Sequence, residues 1–222
     1  MSKKHFQKIT CPSCKKVADF EFWEAMNMSL EPALKERILN YDVFRFMCPF
    51  CGEEQFVHYS FLYHDPDNKT MLFYVQSQEE KEKVLELFAK DKALMDAQGY
   101  RRRIVIGIDA LTEKIRMFDA GLDDRIMEVF KIFLYSQVQD QLLAMTEGEE
   151  IDYVMFDQHV DGKEYLVFVK EGQSLAELPF DHTTYVSLTE KMKGDIEAST
   201  INDAIVDNQW AYTFLQQHAG DA

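Results

Sequence analysis

The sequence predicts an α+β fold, and three observations carry that prediction. Cys11-Pro12-Ser13-Cys14 and Cys48-Pro49-Phe50-Cys51, which contain every cysteine of the 222-residue chain, each lie between short strand-like segments. A long apolar stripe with helical period follows Asp123-Asp124-Arg125. Two strand-like runs rich in β-branched and aromatic residues flank Asp161-Gly162, a turn dipeptide. Together they describe an N-terminal zinc-ribbon-like β module with a helical insertion, followed by helices and a β-hairpin.

Phe6 to Ile9 reads as a strand entering the first cysteine pair. Val17 to Trp23 leaves it, with Val17, Phe20 and Phe22 bracketing acidic positions. Ser29 is placed to cap a short helix over about 31–40, with Glu31 and Pro32 in its first turn and Leu34 and Ile38 at helical spacing. Tyr41 to Phe46 returns as a strand into the second pair, and Gln55 to Tyr59 leaves as another. Phe61 to Tyr63 and Met71 to Val75 flank His64 to Lys69, a run of turn formers that predicts a hairpin. Glu79 to Gln98 reads as a charged helix with Val84, Leu87, Phe88 and Met95 on one side, ended by Gly99.

Arg103 to Ile108 is a short β-branched strand, and Leu111 to Ala120 a helix stopped by Gly121. The longest helix starts at Asp123-Asp124, an N-cap and a first-turn charge, and runs to about Ala144. Ile126, Val129, Phe130, Phe133, Leu134, Val138 and Leu142 form its apolar face. Ile151 to Phe156 and Tyr165 to Val169 pair through a type I′ turn at Asp161-Gly162. No regular element is assigned to the mixed stretch that follows, up to about Ser199. Ile201 to Gln217 closes the chain as a helix, with Ile201, Ala204, Ile205, Ala211, Tyr212 and Leu215 facing inward. The division falls near residue 78, giving a Cys₄ zinc-ribbon-like module over 1–78 and an acidic helical and β-hairpin region over 79–222.

Four thiolates in two Cys-x-x-Cys pairs are a tetrahedral ligand set for one metal ion, and this assigns Cys11, Cys14, Cys48 and Cys51 to a Zn²⁺ site. Proline after the first cysteine of each pair stiffens the turn by fixing φ. The residue after the second cysteine tends toward positive φ, which favours Gly52. Lys15 replaces glycine in the first pair, at a cost of about 1 kcal/mol if left-handed. The alternative is a thiol–disulfide or rubredoxin-like redox protein using the same four cysteines. A dithiol centre needs a cysteine acidified at a helix N-terminus, whereas strand-like segments follow both pairs. Four cysteines already close a structural site, so His58 and His64 are read as ordinary strand and turn residues.

The formal net charge is −15. Residues 1–60 carry eight basic and eight acidic side chains, so the imbalance lies entirely in residues 61–222. An acidic body repels phosphate backbones, which disfavours nucleic-acid binding. Arg101-Arg102-Arg103, the one basic cluster, reads as a solvated strand start or as an internal counter-charge for acidic helices. The apolar fraction of 46%, with 17 Phe and 10 Tyr, suffices for a core without disulfides. No apolar run approaches the ~20 residues a membrane helix needs. The charged start has no apolar stretch behind it, so the expected location is the cytoplasm, where paired cysteines hold metals.

The nine glycines are too widely spaced for a P-loop or a dinucleotide fingerprint, and no H-E-x-x-H pair exists. Asp65 to Thr70 starts like a calcium loop but lacks the required Gly and Glu, and is read as a plain turn. Trp23 and Trp210 are core or interface aromatics. No catalytic residue is assigned. A non-catalytic role through contact with a protein partner or a second copy is favoured, with the Phe/Tyr-rich strands at 56–75 and the neutral ribbon as the expected contact surface.

The two Cys-Pro-x-Cys motifs, the Tyr63-His64-Asp65 turn and the Glu113-Lys114-Ile115…Gly121-Leu122-Asp123-Asp124-Arg125 segment together resemble the CpXC family, a bacterial family named for its cysteine motifs. The resemblance covers about 130 N-terminal residues. It implies a metal-binding N-terminal domain at Cys11, Cys14, Cys48 and Cys51. It brings no established activity and no catalytic residue.

Overall fold

The computed structural model describes residues 1–198 and 203–218 of the mixed α/β chain. The chain divides into two compact units, Met1–Thr112 and Glu113–Ala222. The first unit therefore runs on past residue 78. The cause is a crossover. β6 (Thr70–Tyr74) pairs in parallel with β7 (Arg101–Val105), and a parallel pair needs a long connection, which α2 (Gln78–Gln98) supplies.

Five strands form the main sheet of this unit, in the order β1-β2-β5-β6-β7. β1 (Lys3–Thr10) and β2 (Val17–Asn27) are an antiparallel hairpin, and β2 then pairs in parallel with β5 (Phe61–Asp65). Between β2 and β5 the chain inserts α1 (Ala33–Leu39), a 3₁₀ turn (Asp42–Phe44), and a small ribbon of β3 (Arg45–Met47) and β4 (Glu54–Phe56). The strand expected from Tyr41 is thus a 3₁₀ turn first, entered through Tyr41 at φ 63°. Leu34 and Ile38 are buried as their spacing requires.

Ser29 does not cap α1. Its hydroxyl donates to Asp67 instead, and Pro32 occupies the cap position. The Asn27 side chain takes the backbone N–H groups of Ser29 and Leu30, so the turn forms two residues earlier than the sequence indicates.

Aromatic rings fill the space between the small ribbon and the main sheet. Phe20 meets Phe46 at 6.0 Å, Phe22 meets Tyr59 at 4.9 Å, and Phe44 touches Tyr59, Phe61 and Tyr74 at 5.6–5.8 Å. Tyr59 keeps its hydroxyl satisfied by donating to the Val43 carbonyl. The Phe/Tyr-rich strands expected to form a contact surface are therefore mostly core: Tyr59, Phe61, Tyr63 and Tyr74 are buried, and Phe56 alone among these rings is exposed. Val17, at the start of β2, is exposed as well.

Arg102 and Arg103 are buried rather than solvated. Arg102 pairs with Asp91 of α2 and lies 4.3 Å over the Phe88 ring, so it serves as a counter-charge for an acidic helix. Phe88 is the one fully buried apolar side chain of α2 among its described residues. Leu87 is 46% exposed, whereas Phe88 meets Phe73 of the sheet at 5.1 Å.

The second unit is built on α4 (Asp124–Met145), which follows the end of α3 (Ile108–Asp119). Asp123 caps α4 as expected, accepting from the Arg125 backbone N–H and pairing with its guanidinium. Phe133 is 48% exposed, so the apolar face of α4 narrows after its second turn. β8 (Tyr153–Gln158), β9 (Glu164–Lys170) and β10 (Gln173–Pro179) form a sheet with β9 central. The β8–β9 turn is not type I′. His159 closes a longer loop with Lys163, and within it only Gly162 has positive φ.

β10 and α5 (His182–Ala198) occupy the stretch to which no element was assigned. Asp181 begins α5 by accepting from Thr183 and Thr184. α6 (Asn208–His218) starts later than expected. Ala211 is buried but Tyr212 is exposed, and Ile201 lies outside the described residues. No helix among the described residues is long and apolar enough to cross a membrane.

A buried set of charges lies inside this unit. Lys114 donates to Asp124 at 3.0 Å and to Glu128 at 3.2 Å, while Lys131 reaches Glu113 at 3.0 Å and Glu128 at 2.9 Å. Glu113 also accepts the Phe156 backbone N–H, and all five side chains are buried. Burial pushes the Glu113 carboxyl above its ordinary range despite Lys131, because Glu128 repels the second charge. Lys131 is pushed up as well: its own desolvation opposes this, but the charges and hydrogen bonds of Glu113 and Glu128 outweigh it. Lys131→Met leaves two buried carboxylates without that cation. It is expected to destabilise the chain by about 3–5 kcal/mol in denaturant titrations.

Candidate metal centre

Each cysteine pair forms the tip of a hairpin, and the two tips meet. The first joins β1 to β2 and the second joins β3 to β4. Both tips close through the same backbone hydrogen bonds. The Cys11 N–H donates to the Lys16 carbonyl and the Cys48 N–H to the Glu53 carbonyl, at 2.9 and 2.8 Å. The Lys15 N–H then donates to Cys11 and the Gly52 N–H to Cys48, at 3.1 and 2.9 Å. The repetition follows from the shared Cys-Pro-x-Cys sequence, in which proline presets the turn.

Lys15 and Gly52 occupy equivalent places, with φ of 61° and 74°. The left-handed conformation demanded of a lysine is strained, but its ammonium reaches back 2.7 Å to the Pro12 carbonyl. Lys16 lies 4.9 Å over the Phe50 ring of the other tip, a cation–π contact that joins the two pairs and that motif spacing alone does not reveal.

All four cysteines identified from the sequence come together. Their sulfurs lie within 4.8 Å of one another, and the Cys11–Cys51 and Cys14–Cys48 pairs are 3.7 Å apart. A disulfide would hold two sulfurs at about 2.05 Å. A tetrahedron with metal–sulfur bonds of about 2.3 Å has an edge of about 3.8 Å, so the spacing fits four thiolates around one ion. Cys11 and Cys48 are buried, Cys14 is half-buried and Cys51 is exposed.

The electrostatics point the same way. Burial opposes ionisation of Cys48, but the Phe50 and Cys51 N–H groups and the neighbouring sulfurs bring its thiol down to about 7. The Glu53 N–H favours the Cys51 thiolate, yet burial and the three other sulfurs push that thiol up to about 11. Four sulfurs this close do not all ionise at neutral pH unless a cation joins them.

The other sequence candidates stand apart. His58 is exposed, and His64 on β5 contacts the Tyr100 hydroxyl through Nε2 at 3.0 Å. Asp65 heads a plain turn, accepting from the Asn68 N–H. It is also buried and pairs with Lys35 of α1 at 3.1 Å, which fastens the insertion to the β5–β6 hairpin. That pairing, with the bonds from Asn68, holds the Asp65 carboxyl below its ordinary range although burial opposes it. Trp23 is a core aromatic whose Nε1 donates to Glu21. Among the described residues the four cysteines are the one group of Cys, His, Asp and Glu side chains placed to hold a metal.

The equivalence of Lys15 and Gly52 is testable. A Cβ at Gly52 would meet no atom within 4 Å, so Gly52→Ala adds backbone strain alone. Gly52→Ala is expected to lower, and Lys15→Gly to raise, the stability of the metal-loaded protein by about 1 kcal/mol, read from urea midpoints.

No curated protein and no solved structure matches the chain. A family model described as CpXC protein matches residues 9–131, more than half of it. The matched span runs from just before Cys11 to Lys131, and so holds both the four-sulfur site and every member of the buried charge set. The chain belongs to the CpXC family.

Proposed function

We propose that this chain is a non-catalytic protein whose Cys₄ site holds a structural Zn²⁺, and that it acts through protein–protein contacts made by the ribbon. The observation that carries the reading is the meeting of four sulfurs, two from each hairpin tip, at the edge length of a thiolate tetrahedron. All four positions around such an ion are taken by protein, as in structural rather than catalytic zinc sites.

The dithiol reading needs a cysteine at a helix N-terminus, whereas these tips lead into β2 and β4. Iron accepts the same ligands. Zn²⁺ is favoured because no cofactor-binding pattern accompanies the site in the sequence.

The contact reading rests on side chains left outside the core. Phe6, Val17, Met47, Phe50 and Phe56, all on the two hairpins, are exposed, and this portion of the chain carries no net charge. Those features suit a protein partner or a second copy, and the acidic remainder disfavours nucleic acid. Reduced thiols at such a site fit the cytoplasm.

Metal analysis of the purified chain is expected to give one colourless Zn²⁺ per chain and four thiols unreactive toward a thiol reagent. Chelation is expected to unfold the ribbon, since structural zinc contributes on the order of 10 kcal/mol or more to local folding. Iron absorbance, or a metal-free chain with freely reactive thiols, overturns the metal assignment. In sedimentation, Phe50→Ser with Phe56→Ser is expected to retain the metal and lose association, and association that persists overturns the contact surface.

A further inference from the structure

The four cysteines are not equivalent toward solvent, and this difference supports an inference that rests on the Zn²⁺ reading above. Cys11 and Cys48, which open the two tips, are buried. Cys14 is half-buried and stands beside two cations, Lys15 and Lys16. Cys51 is exposed, as are the residues from Pro49 to Glu54, and it is followed by Gly52, Glu53 and Glu54 with no cation among them.

A metal-bound thiolate keeps its nucleophilic lone pairs, and its reactivity follows exposure and local charge. Cys51 is the one exposed cysteine of the four. The Cys11 sulfur, contributed by the other tip, lies 3.7 Å from it.

We propose that Cys51 is an oxidation site at which hydrogen peroxide opens the metal centre, and that the product is a disulfide between Cys11 and Cys51. In the first step the Cys51 thiolate attacks one peroxide oxygen. An S–O bond forms and the O–O bond breaks. Sulfur loses two electrons, the departing hydroxide takes a proton from solvent as water, and Cys51 becomes a sulfenic acid. In the second step the Cys11 thiolate attacks that sulfur, an S–S bond forms, and the S–O bond breaks to release a second hydroxide, which is protonated to water. Two thiolates are thereby withdrawn, leaving Cys14 and Cys48 as a pair that no longer retains the ion. The cross-tip disulfide keeps the two hairpins joined after the ion has left. Thiol reductants reverse it.

The test uses the metal-loaded chain, with hydrogen peroxide as oxidant, a chromophoric zinc chelator, a sulfenic-acid trap and peptide mass spectrometry. The trap is expected on Cys51 about fivefold more than on any other cysteine, and the Cys11–Cys51 disulfide is expected to accumulate with zinc release. Trapping first on Cys14, or a disulfide within either Cys-x-x-Cys pair, overturns the proposal.

Cys51→His supplies a nitrogen ligand in place of the oxidisable sulfur. Where it retains the ion, its peroxide-driven release is expected to be about tenfold slower, and an unchanged rate overturns the proposal. Should the variant fail to hold metal, site mapping on the native chain still decides. A native chain that holds no zinc at the outset overturns the metal reading, and this proposal with it. A zinc-loaded chain oxidised elsewhere overturns this proposal alone.

Discussion

Four sulfurs held within 4.8 Å of one another constrain the first unit more than any other feature. Their negative charges repel when ionised, and their protons interfere when they are not, so the tips stay together only if a cation or a proton exchange relieves the conflict. The strands that carry the second tip are three residues long, too short to hold a hairpin by themselves. Their position is set from both ends, by the sulfur cluster at the tip and by Phe46 and Phe44 packed under it. The aromatic rings from Phe22 to Tyr74 carry that support into the main sheet, so a change in sulfur chemistry is felt by the core through direct contacts.

The second unit meets a different constraint. The eight residues from Asp124 to Lys131 are buried on every side of α4, four of them charged. Such a helix start is tolerable only if each charge finds a partner where it stands. Asp124, Glu128 and Lys131 recur at four- and three-residue intervals on α4 and face the adjacent Glu113 and Lys114 of α3. Burial is the main reason that Glu113 holds its proton more tightly than an exposed glutamate, with Glu128 adding repulsion that Lys131 opposes. Arg116, at 3.0 Å from Asp157, adds a further ion pair in the same unit.

Much of this was legible in the sequence, for reasons that particular residues make plain. The cysteine spacing, the Asp123 cap and the positive-φ glycines at 52, 99 and 121 are local signals, and each appears where the sequence indicates. The topology was not legible, because nothing in Val17 to Asn27 says that its second neighbour is Phe61 to Asp65. The buried charges were missed because composition places Glu, Lys and Asp outside. The informative sign was the lack of any polar face between Asp124 and Lys131, where Ile126, Met127, Val129 and Phe130 fill the gaps. For α5 a signal was present, since Asp181 precedes Tyr185, Leu188, Met192 and Ile196 at helical spacing. Its first strand neighbour, β10, is an edge with a register shift near Leu175 and has only a faint alternation to read. At Phe133, Leu87 and Tyr212 helical spacing was right and burial wrong, because periodicity names a face without saying how far its cover extends.

The order in which strands join the first sheet sets a sequence of events for a chain emerging during synthesis. β2 has β1 beside it at once, but its other edge waits for β5, and β6 waits for β7 beyond the whole of α2. Both pairings close long loops, and such closures are entropically costly before their contacts form. The sulfur cluster becomes available earlier, once Cys51 is exposed and before Phe61 is made. A metal captured at that stage ties Cys14 to Cys48 and shortens the effective loop between β2 and β5. A chain folding with this site empty would reach its slowest pairing with the longest loop still open and a bare strand edge exposed to other chains.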